Sequence, residues 1–570
     1  MFREIYLFSV LIFISVYFLG DVEAGCNGSC DVINGEDWNV ELDTHIWDEE
    51  IEVKNLEVLN GASLKLENVS VEINNHVSIR GYTEWIDSNV SLIQSERTDN
   101  VSLYSNLIIS GSEVNIYFDR SSSEVFLDDG LAEGFYLHEG SKLIIKDIDN
   151  DANTEADSSI LKPVGYNECY TSYACYETWE ILTENSTNTE LLITNSILID
   201  NFQSKIYSDN VTFENNKLYG HRDFYLYGNN LTYKNNYHNA TELNSSRSDV
   251  GGPRFSGDNA TFSKNVFLEG NNGVLIDGGS NVTLINNTFY RTTTAIWFDS
   301  LSNDIYINEN IFDDMNSVWY GDDVINVIFS NNVVSNCSWN SATWASGGNI
   351  SLYENEFKHC GGSCIMIAGN QYDHKDIFIY DNYFHNYSGI GIRLASHNQI
   401  LENVKIFNNT FSNGGSGVTG SEWINLASLP HNVEIKSNRF TSLTYGIQLT
   451  MQGGSDFIIH NNSIVNTSYG IKISGTLKSM KNLTIQHNDI ESNFNSILYT
   501  CQPLDSLLRN NIIQHNTLLS DSETISMDTC DGDVLFFNNT IYSSKTAIDL
   551  YDSEADIISN IIISTCESED

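Results

Sequence analysis

The chain has 570 residues, of which 76 are acidic and 28 are Lys or Arg, so its formal net charge at pH 7 is −48. This charge excludes general binding to nucleic acids, because phosphate contacts need clustered Lys and Arg. It also disfavours an unassisted polyanionic substrate, which the field of the protein would repel. Calcium ions that bridge protein and substrate would remove that objection.

Residues 1–24 have the pattern of a secretory signal peptide. Arg3 precedes an apolar run over 5–19, and a small-residue cleavage site follows before Gly25. Lipidation at Cys26 is the alternative. We expect a secreted, extracellular or cell-surface protein without a transmembrane segment, since no second apolar run reaches the roughly 18 residues of a spanning helix. N-x-S/T sequons between residues 27 and 540 are compatible with glycosylation.

An internal repeat dominates the second half of the chain. Asn, any residue and a large apolar residue recur at intervals of 21 to 29 residues. The repeat begins at Asn265, Asn287, Asn310, Asn332, Asn355, Asn382, Asn409, Asn438, Asn462, Asn488, Asn516, Asn539 and Asn560, with looser copies at Asn195, Asn216 and Asn236. A short apolar strand such as Gly391-Ile-Arg-Leu394 follows most copies. The alternation in these segments is that of β-strands and not of helices.

A repeat of this length and strand content predicts a parallel β-helix. A single turn cannot bury its inward side chains, whereas stacked turns can, since neighbouring strands lie about 4.8 Å apart. Leucine-rich repeats need a leucine framework, and propeller blades need about 40 residues. The repeated Asn predicts a buried ladder of amides along the stack. The large apolar residue two positions later predicts a second buried column, which includes Phe289, Phe312, Phe357, Phe384, Phe411 and Phe440.

The Asn-x-Phe turns and Gly-Ile-x-Leu strands resemble the right-handed repeats of the pectin-lyase-like superfamily over about residues 191–566. The resemblance implies an all-β fold, a right-handed parallel β-helix or solenoid of about 13 to 16 turns. We expect this β-helix to occupy 191–570. Residues 25–150 are expected to form an irregular β-rich N-terminal start or cap, and 151–190 a disulfide-containing loop or seam.

Ten cysteines in an exported chain favour disulfides over metal ligation. Cys169 and Cys175 are close enough to pair locally. Cys501 and Cys530 are separated by about one turn of the repeat, so we expect this pair to bridge two turns.

The resemblance leaves the chemistry open, because the superfamily includes lyases, hydrolases, epimerases, tailspikes and non-enzymatic surface proteins. Of the segments that its hydrolases share, only Asp322-Asp323 is present here. Its lyases use a basic residue, for which no single pattern selects among the candidates Lys358, His359, His374, Lys375, Arg393 and His397. The catalytic residues are therefore unknown, with Asp277, Asp299, Asp322 and Arg393 as candidates.

Strand phase predicts a row of outward residues with an aromatic section. The row contains Leu275, Trp297, Trp319, Trp344, Met366, Arg393 and Asn425, with Tyr320 as the alternative to Trp319. Trp297, Trp319 and Trp344 would stack on sugar rings, and Asp277 and Asp299, about 5 Å apart on adjacent turns, would bind hydroxyls. That spacing suits a retaining carboxylate pair or a calcium site that includes Asp322. Alternatively, the Trp residues pack under a loop or against another chain.

We therefore expect a secreted or cell-surface protein that interacts with extracellular polysaccharide or cell-surface glycan. A polysaccharide lyase or glycoside hydrolase that works in the same groove is the first alternative. A non-enzymatic surface fibre or adhesin is the second. No cofactor is required by this interpretation, calcium is the metal that the carboxylates would suit, and the oligomeric state is open.

Overall fold

The structure is a computed structural model. It describes residues 25–28, 36–94, 101–103, 105–110, 112–118, 134–137, 142–146, 160–164, 180–183, 190–199, 205–219, 224–239, 251–321, 324–338, 341–345, 347–367, 374–394, 401–420, 431–450, 454–475, 480–501 and 507–565. The chain forms two compact units, residues 1–221 and 222–570. All regular structure in the described residues is β, and none of them forms a helix that could span a membrane.

The first unit contains strands β1 to β22. In chain order they span Gly25–Asn27, Asp37–Val40, Thr44–Trp47, Glu50–Val53, Asn55–Val58, Ser63–Glu67, Ser70–Ile73, Val77–Ile79, Tyr82–Ile86, Asn89–Gln94, Val101–Leu103, Asn106–Ser110, Glu113–Phe118, Gly134–Leu137, Lys142–Lys146, Ile160–Val164, Glu180–Thr183, Glu190–Thr194, Ile197–Ile199, Lys205–Tyr207, Val211–Glu214 and Lys217–Tyr219.

The second unit contains strands β23 to β55. In chain order they span Phe224–Tyr227, Leu231–Lys234, Tyr237–Asn239, Pro253–Ser256, Ala260–Ser263, Val266–Ile285, Thr288–Asn308, Ile311–Asp313, Ser317–Tyr320, Val324–Ser330, Val333–Ser335, Ser341–Ala345, Gly347–Tyr353, Glu356–Lys358, Ser363–Ile367, His374–Tyr380, Tyr383–Leu394, Leu401–Phe407, Thr410–Gly420, His431–Lys436, Arg439–Thr450, Gly454–His460, Ser463–Gly475, Met480–Gln486, Asp489–Cys501, Leu507–Gln514, Thr517–Ser520, Ile525–Asp528, Asp531–Phe537, Thr540–Ser543, Ile548–Tyr551, Asp556–Ile558 and Ile561–Ser564.

Three strands make one turn in the first unit, since β4 pairs in parallel with β7, β7 with β10 and β10 with β13. Its first strand is different, because β1 pairs antiparallel with β3. The segment expected as a loop or seam contributes β16 and β17, which pair in parallel with β13 and β14. Alternate residues are buried, as in the exposed-buried pattern of β4, and this alternation lets each turn bury one face of every strand.

The second unit contains the predicted asparagine ladder. The amide oxygen of Asn310 accepts hydrogen bonds from the backbone N–H and the Nδ2 of Asn287, at 2.8 and 3.0 Å. The Nδ2 of Asn287 also donates to the Phe262 carbonyl oxygen at 2.9 Å. The same pattern of bonds to the next Asn of the ladder continues through Asn539, which bonds Asn560. The residue before each ladder Asn has a positive φ, for example 56° at Asn286, and Asn tolerates that conformation well.

The predicted aromatic column is confirmed as well. Phe357, Phe384, Phe411 and Phe440 are buried, and successive rings stack with centroids 5.0, 4.6 and 4.8 Å apart. Phe289 and Phe312 stack in the same way at 5.1 Å. The column therefore fills the interior beside the ladder at a constant offset from it.

Cys501 and Cys530 form the predicted disulfide between adjacent turns, with Cα atoms 5.0 Å apart. Cys169 and Cys175 lie outside the described residues, so their predicted pairing stays a prediction. Cys337, Cys360 and Cys364 are buried as thiols, and burial raises the pKa of Cys337 and Cys364 well above its ordinary value.

Candidate functional site

Strand alternation in the second unit places one row of side chains on an outer face. Ile296 and Phe298 are buried, so Trp297 between them points outward and is half-buried. In-register partners extend the row from Arg254 through Leu275 to Trp297 and then Tyr320. We call this row the outer row. It continues over Met366 and Arg393 to Thr419, Gln448 and Lys472.

The expectation that Trp319 points outward is wrong. Trp319 pairs with the inward Ile296 and is completely buried, with its ring 5.5 Å from the ring of Phe298. Tyr320 takes the outward position opposite Trp297 and is 42% exposed. A shift of one residue moves every side chain of a strand to the other face. In the Val318-Trp319-Tyr320 segment either aromatic residue could point outward. The sequence alone therefore did not determine which residues of this strand face the core.

Trp297 and Tyr320 form an edge-to-face pair, with ring centroids 4.9 Å apart and planes at 63°. This arrangement differs from the stacked rings of Tyr353, Tyr380 and Phe407 on another sheet, at 4.9 and 4.8 Å and within 11° of parallel. Stacked rings cover one another's faces, whereas an edge-to-face pair leaves a ring face open. Trp297 is half-buried and Tyr320 is exposed, so both rings present some of their surface on the outer side of the sheet.

The structure brings Asp277 and Asp299 together through an arginine. Arg254 Nη2 lies 2.6 Å from Asp277 Oδ2 and 3.0 Å from Asp299 Oδ2. Asp277 Oδ1 accepts a hydrogen bond from the Ser300 hydroxyl at 2.8 Å. Asp277 pairs with Ser300 and not with Asp299, because a β-bulge interrupts the register after Ile276. The bulge leaves Asp299 as the extra residue, and such bulges redirect side chains.

These contacts limit what the two carboxylates can do. Burial raises the pKa of Asp277, but the hydrogen bonds from Arg254 and Ser300 outweigh it, so this pKa lies below its ordinary value. Asp277 is therefore ionised at neutral pH and unsuited to act as a general acid. A guanidinium already lies against both carboxylates and uses oxygens that a calcium ion would otherwise bind. Asp322, the third candidate ligand, lies outside the described residues, so calcium binding stays a prediction. The described residues contain no group of three or more His, Cys, Asp or Glu that could hold a metal.

Four other residues that were predicted to lie on or beside the row have different outcomes. Asp322 lies outside the described residues. Trp344 is in register with Met366 on the outer row, but its side chain is outside the described part of the structure. Arg393 lies on the outer row with a half-buried side chain. Asn425, which was expected to follow Arg393 on the row, lies outside the described residues, and Thr419 is the in-register partner of Arg393.

Sequence reasoning missed Arg254, Tyr225 and Thr419. Arg254 Cζ lies 5.4 Å from the ring centroid of Tyr225, its in-register neighbour on the preceding turn. Both residues stand between buried apolar residues, as in Pro253-Arg254-Phe255. That alternation is the signal that could have placed them on the row. It was overlooked because the spacing of the repeat is looser before Asn265.

Comparisons with known proteins support the fold only. Residues 317–480 match a family model described as the right handed beta helix region. A search of curated proteins found no match. Similar solved structures include tailspike protein 3 of bacteriophage CBA120, with 12% identity, a TM-score of 0.32 and coverage of 68% of this chain and 54% of that chain.

Two further structures have similarly low scores. The A-module of the mannuronan C-5 epimerase AlgE4 of Azotobacter vinelandii has 11% identity and a TM-score of 0.26, with 81% and 91% coverage of this chain and that chain. The surface adhesin PfbA of Streptococcus pneumoniae has 10% identity and a TM-score of 0.26, with 82% and 84% coverage. Such scores carry no argument about activity. The family match over residues 317–480, the parallel turns and the asparagine ladder identify the fold as a right-handed parallel β-helix.

Proposed function

We propose that this protein is exported and binds extracellular polysaccharide or cell-surface glycan on the outer row. The observation that carries the proposal is the Trp297–Tyr320 pair, an edge-to-face pair of outward aromatic rings on the sheet. An aromatic face packs against the C–H face of a sugar, with a contribution of about 1 kcal/mol per ring by analogy with other aromatic contacts.

Polar groups beside the pair suit hydroxyl recognition. Asp299 is 44% exposed in its side chain, and Arg254 holds it in place at 3.0 Å. A carboxylate fixed by a guanidinium keeps oxygen lone pairs free to accept hydrogen bonds from sugar hydroxyls. Adjacent turns repeat every 4.8 Å or so, which lines up these groups along the axis for a linear polymer.

Export is supported by the signal-peptide pattern of residues 1–24 and by the Cys501–Cys530 disulfide, since such bonds persist in oxidising compartments. The lyase or hydrolase alternative has less support. Arg254 occupies the space between the two carboxylates that a glycosidase pair would need to keep accessible. A surface fibre or adhesin would use the same face without turnover and is included in the proposal.

The test is binding to a polysaccharide panel, with product release measured in the same samples with and without calcium. Trp297→Ala should weaken binding several-fold with little change in melting temperature, because the ring is half-buried on the outside. Tyr353→Ala, which removes a half-buried ring of a stacked ladder on another sheet, is the matched control and should leave binding intact. Unaltered binding by Trp297→Ala would refute the proposed site, and release of unsaturated or reducing ends would establish an enzyme.

A further inference from the structure

Arg393 is a cation of the outer row that has no hydrogen-bond or ion-pair partner among the described residues. It lies in β39 between Ile392 and Leu394, both completely buried, so its side chain leaves the sheet on the outer side. In-register pairs place Met366 before it and Thr419 after it. Trp297 is four turns away along the row, about 19 Å at the usual strand spacing.

The polar atoms at this position are buried and unsatisfied. The Nε of Arg393 and the Oγ1 of Thr419 are both buried without a hydrogen-bond partner. The Arg393 side chain forms no ion pair with a described carboxylate, although the sequence has 76 acidic residues. Burial alone lowers the pKa of Arg393 from its ordinary value.

Arg254 lies on the same row, and nearby carboxylates compensate its positive charge. Its guanidinium contacts two carboxylates at 2.6 and 3.0 Å. A guanidinium whose Nε is buried without a partner is costly, because the desolvation of that N–H group is not repaid by a hydrogen bond. The next residue on the row, Thr419, is 6% exposed and offers a hydroxyl in place of a carboxylate. The position therefore has two unsatisfied groups that can donate, and the described residues supply no acceptor for them.

We propose that Arg393 and Thr419 form an anion subsite that binds a carboxylate or sulfate group of a saccharide bound along the outer row. This inference rests on the proposed function and adds the chemical class of the ligand. A planar guanidinium bonds such oxyanions through its fork of N–H donors, and the Thr hydroxyl can donate to a further oxygen. The acidic group would lie about 19 Å along the polymer from the ring stacked on Trp297.

The net charge of −48 does not contradict this subsite. Repulsion between distant exposed charges is largely screened beyond about 8 Å at 0.15 M ionic strength, while contacts in partly buried sites are screened much less. The ligand that fits best carries acidic groups sparsely, since a dense polyanion would also approach the carboxylates Asp277 and Asp299.

The experiment compares three probes by titration calorimetry at 0.15 M salt. They are a galactose hexamer in which one sugar is galacturonate, the same hexamer with that galacturonate as its methyl ester, and a galactose hexamer that carries a single sulfate ester. The unmodified protein should bind at least one of the two anionic hexamers about ten-fold or more tightly than the ester, as expected for a charge-assisted hydrogen bond. The carboxylate and sulfate arms identify which group the subsite accepts.

Arg393→Met should abolish the preference for the anionic hexamer, leave affinity for the ester unchanged and raise the melting temperature of the free protein. Thr419→Val should reduce the preference several-fold. Lys405→Met is the matched control, because Lys405 is a half-buried cation on another sheet that lies over the Phe378 ring at 6.0 Å. It should keep the preference. If Arg393→Met does not fold, Arg393→Gln makes the same comparison.

A preference that survives in Arg393→Met or Arg393→Gln would overturn the subsite, as would equal affinity of the unmodified protein for all three hexamers. Failure of the proposed function is distinguishable. In that case Trp297→Ala would not weaken binding of the ester, whatever the result at Arg393.

Discussion

The two units differ at equivalent turns, because several described turns of the first unit have a serine where the second unit has a ladder asparagine. In the first unit Ser88 accepts one hydrogen bond from the Val69 backbone N–H at 3.1 Å, and its own N–H donates to Ser112 Oγ at 3.0 Å. In the second unit a central Asn accepts two bonds, and its Nδ2 donates both to the next amide and to a backbone carbonyl oxygen. A serine thus joins adjacent turns by one bond where an asparagine contributes several.

This difference explains why the repeat of the second unit is easier to recognise in the amino-acid sequence than that of the first unit. A ladder amide has two donors and two acceptor lone pairs, all of which need buried partners of fixed geometry. Each turn of the ladder in the second unit must therefore have an asparagine at the equivalent position. The sequence consequently shows asparagine at a regular spacing. A serine hydroxyl at a turn of the first unit needs fewer buried hydrogen-bond partners. The repeat of the first unit is therefore less regular in the sequence.

The largest effect is expected at the aromatic column of the second unit. Phe384→Ala removes a ring that stacks on both neighbours, at 5.0 and 4.6 Å. It should lower the free energy of unfolding by about 3 to 5 kcal/mol, as for other buried Phe residues. Urea denaturation measures the loss. Phe494→Ala, at a 51% exposed ring, should cost far less, and equal losses would contradict the assignment of the column.

The second-largest loss of stability is expected when the disulfide between adjacent turns is removed. Replacement of Cys501 and Cys530 by Ser opens a loop of 29 residues. The chain-entropy model gives a loss of about 3 to 4 kcal/mol for a loop of this length. Differential scanning calorimetry of the double variant tests this. A melting temperature equal to that of the unmodified protein would show that the disulfide does not stabilise these turns.

Substitution in the ladder should distinguish the two kinds of turn. Asn355→Ala deprives the Asn332 N–H and Nδ2 of their acceptor, at 2.9 and 3.1 Å. We expect a loss of about 2 to 3 kcal/mol from these unsatisfied groups. Asn355→Ser restores one acceptor and should cost less. Hydrogen exchange at the Asn332 amide reports the local effect, and equal exchange in the two variants would contradict the comparison.

The smallest effect is expected in the first unit. Ser88→Ala removes one acceptor, that of the Val69 N–H, and should cost about 1 to 2 kcal/mol. The exposed Ser70→Ala is the control and should stay within about 0.5 kcal/mol of the unmodified protein. A loss at Ser88 as large as that at Asn355 would mean that serine and asparagine turns are equivalent.

The candidate site was only partly predictable from the sequence. Trp297 and Arg393 were placed on the outer row from the alternation of Ile296, Phe298, Ile392 and Leu394, which burial confirms. Trp319 was placed wrongly, and Thr419 was missed. Register in a solenoid depends on loop lengths, and an error of one or a few residues there changes which side chain lies in the row.

By itself the sequence determined the parallel β-helix of the second unit, its asparagine ladder and phenylalanine column, and the Cys501–Cys530 bridge. Those features recur at a fixed offset within each turn, so a local period specifies them. Only the tertiary structure decided that Arg254 joins Asp277 to Asp299, and that the buried Nε of Arg393 and Oγ1 of Thr419 lack a partner among the described residues. These contacts join turns that are 20 or more residues apart in sequence, and a bulge or a loop sets their register, which no local pattern encodes.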